Sequence, residues 1–162
     1  MKRLVIFMMP FTGLLCFALG RATTQKASSL SQKTLDNVGR AMHREAFTYA
    51  EYLLFAESAR KTGNRELANL FERTARTERF LHFKEESELA GLVGDNRENL
   101  LAAIDGESYE VDSMYRQFAD QAAAAGDKQA AHLFEVIRHD EMAHLARMKA
   151  AFAKLELRPA SQ

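Results

Sequence analysis

The sequence predicts an all-α fold arranged as a four-helix bundle, on three observations. The only prolines are Pro10 and Pro159, so no proline interrupts helices in the long stretch between them. Apolar residues recur there at intervals of mostly three and four, which is the spacing of one helix face. The two halves also resemble each other, with Tyr52 falling on Tyr115. A repeated two-helix unit can fold into a pseudo-symmetric four-helix bundle.

Breaks that contain glycine separate the four predicted helices, at residues 62–64, 91–96 and 125–127. Glycine commonly ends a helix because it adopts the left-handed backbone conformation without a steric cost. We expect the first helix to start near Thr34 or Leu35 and the fourth to run from about Lys128 to Leu155. The predicted domain is therefore residues 34–157, with residues 158–162 as a tail.

The N-terminus has a different character from the rest of the chain. Lys2 and Arg3 precede an apolar run over residues 4–20, after which the sequence turns polar at once. This order, with small residues at Ala18 and Gly20, fits an export signal. The length of the run also allows an uncleaved membrane anchor. Both alternatives stay open, beside a buried or disordered leader, and residues 21–33 are expected to be a linker.

Localisation depends on which alternative holds. An export signal would place the protein in the periplasm or outside the cell, and an anchor would bring residues 4–20 into contact with the membrane. Otherwise the protein would be cytoplasmic.

Charge and cysteine content exclude several classes of function. Lys plus Arg equals Asp plus Glu at 22 each, so there is no basic field for a nucleic acid partner. The single cysteine, Cys16, excludes a disulfide within the chain and any metal centre held by four of its own thiolates.

Four glutamates, one in each predicted helix, form the candidate site. Glu141 and His144 are three residues apart on the fourth helix, so they project from nearly the same side and could share a metal ion. The internal repeat places Glu78 on Glu141, and Glu45 on Glu107 within one residue. Alone, a Glu-x-x-His pair is weak evidence, but repeat-related positions converge at the middle of a bundle.

Carboxylates inside a bundle are costly unless cations neutralise them. Glu110, one turn after Glu107, adds a fifth carboxylate. Two divalent ions are the simplest way to remove the repulsion. The alternative is that the glutamates pair with arginines on solvated faces, such as Arg44, Arg76, Arg79 and Arg138.

Two segments carry a resemblance to a known family: Gly106-Glu107-Ser108-Tyr109-Glu110 and Glu141-Met142-Ala143-His144. Together with Glu45, Glu78 and the two tyrosines, they resemble the rubrerythrin family of the ferritin-like di-iron superfamily, over about Thr34 to Leu157. The resemblance implies a ferritin-like bundle that holds two iron ions, with manganese or a mixed pair as an alternative. It also implies reduction of hydrogen peroxide, with dioxygen as an alternative oxidant.

The resemblance further assigns roles to individual residues. Glu45 would be a terminal or bridge-side carboxylate, and Glu107 a bridging carboxylate. The remaining implied ligands are Glu78 and Glu141 from the second and fourth helices, Glu110 as an extra carboxylate of one iron, and His144 on the other iron. Tyr52 and Tyr115 match tyrosines that hydrogen-bond ligand carboxylates, although both could equally be ordinary core residues.

The chain departs from the family pattern at one residue position and by one missing module. The family usually has a histidine three residues after the second-helix glutamate, where this chain has Leu81. His82, four residues after Glu78, is on the same flank and could reach the metal instead. The cysteine-rich rubredoxin module is missing as well, so electrons would come from an external donor protein.

The connection between the second and third helices is short. Roughly seven residues reach at most about 25 Å, whereas a bundle helix of about 25 residues is roughly 38 Å long. Either the second helix stops early, near Phe83, or the two hairpins do not pack on each other. The second case predicts a domain-swapped homodimer in which each metal site draws ligands from two chains.

Three functions remain open at this stage. The first is a di-iron peroxidase fed by an external donor. The second is an iron-binding or storage protein that oxidises ferrous iron without peroxidase turnover. The third is a membrane-tethered bundle with a vestigial metal site.

Overall fold

A computed structural model of the protein describes residues 30–157, and the regular structure in that part is entirely helical. The leader at residues 1–20, most of the linker and the tail at 158–162 lie outside the described residues. The helices are α1 (Gln32–Lys61), α2 (Arg65–Thr77), α3 (Phe83–Ala90), α4 (Asn96–Tyr109), α5 (Tyr115–Ala125) and α6 (Lys128–Glu156). Two π-helical turns, Glu78–His82 and Glu110–Met114, join α2 to α3 and α4 to α5.

Four helical rods result, as the sequence predicts. The first rod is α1, the second is α2 with the first π turn and α3, the third is α4 with the second π turn and α5, and the fourth is α6. Side-chain caps fix where the rods begin. Ser31 accepts a hydrogen bond from the Thr34 backbone N–H at 3.2 Å, so α1 starts at Gln32, slightly before the predicted position. Asp95 and Glu98 form a capping box at the start of α4.

The rods pack as two helix pairs. In the first helix pair α1 packs on the second rod, and in the second helix pair α6 packs on the third rod. Small side chains allow close approach within the first pair, where Ala56, Ala59 and Ala68 are buried beside Phe71. Each pair also has an aromatic cluster at the corresponding place, Tyr52, Phe55 and Phe71 in the first pair and Tyr115, Phe118 and Phe134 in the second.

The two helix pairs do not contact each other within the described part of the chain. The second rod continues to Ala90, where Gly91 ends it with a φ of 63°, so the alternative that it stops near Phe83 is wrong. Only residues 91–95 connect the second rod to α4. Five residues reach about 18 Å, less than half the length of the second rod, so the connector cannot return the chain along that rod.

Large apolar side chains consequently stay uncovered. Among the described residues none of the large side chains is fully buried, and the buried apolar residues are six alanines and Val111. Leu70 on the second rod is 50% exposed and Leu133 on α6 is 54% exposed. Monomeric proteins rarely leave this much apolar surface open, so the exposed apolar faces of the two pairs are unusual for a single chain. No helix between residues 30 and 157 carries an apolar stretch sufficient to cross a bilayer.

Candidate metal centre

The first helix pair brings Glu45, Glu78 and His82 together. One potential ligand atom from each of the three side chains lies within 4.8 Å of the other two. His82 Nδ1 is 2.8 Å from Glu78 Oε2 and 3.9 Å from Glu45 Oε2. The two carboxylates are mostly shielded, at 22% exposed for Glu45 and 13% for Glu78, whereas the His82 side chain is 47% exposed.

The π turn explains why the histidine follows Glu78 by four residues. The Phe83 N–H donates to the Glu78 carbonyl, five residues back, so one turn here contains an extra residue. This wider turn sets His82 beside the Glu78 carboxylate. Leu81, at the position where the family usually has histidine, is 49% exposed. His82 therefore takes the place beside the carboxylates that the sequence alone left undecided.

The second helix pair repeats the arrangement with Glu107, Glu141 and His144. These three side chains also offer ligand atoms within 4.8 Å of one another. His144 Nδ1 is 2.6 Å from Glu141 Oε2 and 3.9 Å from Glu107 Oε2. The distances match those of the first pair, so each helix pair carries one three-residue group of the same composition.

A second π turn accounts for the other irregularity of the repeat. Seven residues separate Glu45 from Tyr52, and eight separate Glu107 from Tyr115. The extra residue lies in the π turn Glu110–Met114, where the Tyr115 N–H donates to the Glu110 carbonyl. The one-residue offset in the sequence repeat is thus a helix insertion, not a misalignment.

Repulsion between carboxylates dominates the electrostatics of both groups. Burial raises the pKa of Glu45 above its ordinary value, and the hydrogen bond and charge of Glu78 raise it further. Burial and then Glu141 raise the pKa of Glu107 in the same way. Glu107 Oε2 is buried without any hydrogen-bond partner. A buried carboxylate oxygen without a hydrogen-bond partner is typical of a cation site.

Arginine pairing, the competing explanation, does not occur at these glutamates in the described part of the chain. Arg44 lies over the Phe47 ring, and Arg79 lies over the rings of Phe80 and Phe83. Arg138 pairs with Glu135, which belongs to neither group. The negative charge of the two groups is therefore not neutralised by guanidinium groups.

Glu110 and Tyr115 lie near the second group without joining it. Burial raises the pKa of Glu110, and the charge of Glu141 raises it further. The pKa of the Tyr115 hydroxyl is raised by burial and by the charges of Glu110 and Glu141. Tyr52 packs against Phe71. Neither tyrosine hydroxyl hydrogen-bonds to a carboxylate within residues 30–157, so their predicted role stays a prediction.

Glu86 is a carboxylate that the sequence analysis missed. Its Oε2 atom is buried without a hydrogen-bond partner, and its charge raises the pKa of Glu45. The signal was present in the spacing, because Glu86 follows His82 by four residues and so shares its helix flank. The first group therefore has an additional negative charge nearby that has no counterpart at Met148, the repeat-related position.

Two carboxylates and one imidazole are oxygen and nitrogen donors suited to a first-row divalent ion, and each group can supply one ion with three ligands. Positive charge there would remove the repulsion that raises the carboxylate pKa values. Fold and site thus define a helical di-metal protein of the carboxylate–histidine class.

Comparison with known proteins identifies the family. The rubrerythrin family model matches residues 36–152. The chain is 32% identical to rubrerythrin from Porphyromonas gingivalis over 151 residues, which is 86% of this chain and 76% of that protein. It is 31% identical to nigerythrin from Nitratidesulfovibrio vulgaris over 137 residues, 76% of this chain and 67% of that protein. The chain belongs to the rubrerythrin family.

A solved structure of fully reduced, all-ferrous nigerythrin is also similar, at 28% identity and a TM-score of 0.40, covering 83% of this chain and 73% of that one. Family membership makes the four rods those of a ferritin-like fold and makes the expected cofactor a pair of iron ions. The two carboxylate–histidine groups fit that cofactor in number and in donor type.

Substituting His82 and Leu81 separately tests which residue completes the first group. We expect His82→Ala to weaken binding of one of two ferrous ions by at least about 10-fold, because an imidazole ligand is removed. Leu81→Met, a volume-conserving change, should leave both affinities unchanged. Anaerobic Fe²⁺ titration measures the affinities of both variants. Equal Fe²⁺ affinities in the two variants would contradict the assignment of His82 to the first group.

The raised carboxylate pKa values predict that the free energy of unfolding changes with pH in opposite directions in the metal-free and the metal-loaded protein. Folded metal-free protein binds more protons than the unfolded chain at Glu45, Glu107 and Glu110. Its free energy of unfolding should therefore fall as the pH rises through these folded-state pKa values, above about 4.5. With Mn²⁺ bound the carboxylates are deprotonated, so stability should rise over the same interval.

Urea unfolding at a series of pH values measures both slopes. The double variant Glu45→Gln/Glu107→Gln is the control, and it should flatten the metal-free slope. Two results would show that these carboxylates do not govern the pH dependence of stability. One is a metal-free protein whose stability increases with pH, and the other is a double variant with the same slope as the wild type.

Proposed function

We propose that the chain is a di-iron oxidoreductase that reduces hydrogen peroxide with electrons from a donor outside residues 1–162. The observation that carries this proposal is the pair of matching groups, Glu45–Glu78–His82 and Glu107–Glu141–His144. Two equivalent groups suit a reaction that needs two electrons from two neighbouring ions. Glu110 would add a carboxylate to one of them.

The separation of the helix pairs supports a domain-swapped homodimer as the working form. Each pair holds only half of the ligands, and the short connector at residues 91–95 prevents the pairs from closing on each other as a full-length bundle. In the swapped dimer the first pair of one chain would cover the second pair of its partner. Exposed side chains such as Leu70, Leu81, Leu133 and Met142 offer the apolar area for this contact.

The exposed leucines give the scale of the apolar contribution to this association. Burying a fully exposed leucine stabilises an assembly by about 1.5–3 kcal/mol, so a half-exposed leucine contributes about half of that. Leu70, Leu81 and Leu133 are each about half exposed, and twofold symmetry would bury each of them twice. The same closure would shield the carboxylate groups from water on the side that is open in a single chain.

When bound, two ferrous ions supply the two electrons that convert peroxide and two protons into two molecules of water. The protein residues set the conditions for this chemistry. The carboxylates would hold the ions and balance their charge. His82 and His144 would each add a neutral imidazole donor to the two carboxylates of their group. The raised pKa of Tyr115 keeps its hydroxyl protonated at neutral pH, next to Glu110 and Glu141, where it can donate a hydrogen bond.

Repeated turnover separates this proposal from iron storage. Reduced, iron-loaded protein mixed with excess peroxide and a chemical reductant should cycle many times without forming ferric mineral. Glu78→Gln/His82→Ala should lower the turnover rate by roughly 100-fold or more, because one ion loses two ligands. Glu66→Gln, at an exposed position of α2, is the matched control. A single burst followed by accumulating mineral would favour storage, and absence of bound iron would favour a vestigial site.

Mixing two defective chains tests the domain swap directly. One chain carries Glu78→Gln/His82→Ala and the other carries Glu141→Gln/His144→Ala, so each homodimer lacks one half of every site. In a swapped heterodimer one site receives both defective halves and the other receives both intact halves.

Random pairing makes half of the dimers mixed, and each of these has one intact site of two. Peroxide turnover, which needs both ions of one site, should therefore return to about a quarter of the wild-type value after unfolding and refolding the two chains together. Chains refolded separately provide the baseline. No recovery in a mixture that is shown to contain heterodimers would mean that each site is built from a single chain.

A further inference from the structure

One carbonyl group in the second π turn is left without its helical partner. In an α-helix the Tyr115 N–H would donate to the Val111 carbonyl, but here it donates to the Glu110 carbonyl. Val111 is only 5% exposed, so water does not readily replace the lost donor. A buried carbonyl without a partner destabilises the backbone that carries it.

Arg138 supplies the missing donor from the neighbouring helix. Its Nε donates a hydrogen bond to the Val111 carbonyl oxygen at 2.8 Å. Its Nη1 lies 3.5 Å from Glu135 Oε2, one turn earlier on α6, which holds the guanidinium in place. Arg138 precedes Glu141 by three residues, so it links the helix that carries Glu141 and His144 to the π turn that starts at Glu110.

The first helix pair has no such link. Ala75 is the residue that the internal repeat aligns with Arg138, and it is fully buried against α1. A methyl group cannot donate a hydrogen bond. The π turn of the first pair also lies on the rod that carries Glu78, whereas the π turn of the second pair lies on the opposite rod from Glu141. The two otherwise similar groups are therefore supported differently.

We propose that Arg138 is a positioning residue of the second metal group, which acts by locking the π turn Glu110–Met114. With the turn locked, Glu107 and Glu110 stay on the side that faces Glu141 and His144. The inference rests on the proposed metal site for its functional consequence, but the locking itself does not require metal. The two groups would thus hold their ions unequally: the second group depends on a hydrogen bond between helices, and the first group does not.

Hydrogen exchange of the metal-free protein tests the locking step. Arg138→Met keeps the length of the side chain and removes the donor, so amide exchange at residues 110–116 should become about 10-fold faster or more. The matched control is Arg147→Met, an exposed position on the same helix. Unchanged exchange in Arg138→Met would overturn the inference whether or not the wild-type protein binds metal.

Titration of the metal-free protein with Co²⁺ tests the consequence, followed by the absorption of the bound ion. Arg138→Met should weaken one of the two binding events by about 10- to 100-fold, alter its spectrum and leave the other unchanged. Arg138→Lys, which retains a donor, should restore part of the loss. Equal affinities and spectra in wild type and Arg138→Met would contradict the positioning role.

Deleting Ser113, an exposed residue of the π turn, provides a background in which Arg138 is not needed. The deletion converts the turn to α-helix: the Tyr115 N–H still donates to the Glu110 carbonyl, now four residues back, and the Arg116 N–H becomes the donor to the Val111 carbonyl. Arg138→Met should then have no further effect on exchange or on Co²⁺ affinity. This background also covers the case in which Arg138→Met alone fails to fold: recovery of helicity on deletion supports the inference, and no recovery contradicts it.

If wild-type protein binds no Co²⁺ while Arg138→Met accelerates exchange, the proposed metal function fails and the locking role stands. If wild-type protein binds two ions and the variant matches it in exchange and affinity, the metal function stands and the role of Arg138 fails.

Discussion

Carboxylates that face each other across packed helices are the constraint on which this structure depends. Glu45 faces Glu78, and Glu107 faces Glu141, with a histidine beside each pair. Water cannot fully solvate the four glutamate side chains, which are between 13% and 22% exposed. The described part of the chain provides no arginine for them. Protons can relieve the repulsion at low pH, but at neutral pH divalent cations are the effective alternative.

Under the proposed function, metal binding and assembly would be coupled by the way the candidate ligands are distributed. Each helix pair carries one group of three candidate ligands, and the two pairs of one chain do not contact each other within the described residues. Under the proposed swap, the apolar faces and the metal ions would favour the same contact between chains. Ions shared across the interface would then stabilise the dimer in addition to the apolar area, and loss of metal would weaken both the fold and the association.

The sequence was sufficient to predict the four rods and the glutamates at their centres, and it left the separation of the pairs as one of two alternatives. Those features follow from periodicity, from glycine at the helix ends and from the length of the connector, all of which are local properties. The π turns were not predicted, because a single inserted residue leaves the apolar pattern nearly intact on both sides. Their trace was nevertheless present: Glu107 is one residue out of register with Glu45, and His82 follows Glu78 by four residues where His144 follows Glu141 by three.

Glu86 and Arg138 illustrate what a sequence pattern does not contain. Both are charged residues at ordinary helical spacing, and most such residues lie on solvated faces. Only the packing of α3 against α1 buries the Glu86 oxygen, and only the distorted turn creates a free carbonyl for Arg138. Their environments depend on contacts between rods, which cannot be inferred from either rod alone.

The most direct test of the account is a crystal structure of the iron-loaded protein in which anomalous scattering locates the iron. The account predicts two iron ions roughly 3.5–4 Å apart, one bound by Glu45, Glu78 and His82 of one chain and the other by Glu107, Glu141 and His144 of its partner. Iron found elsewhere, or these carboxylates turned toward solvent or paired with arginines, would contradict it.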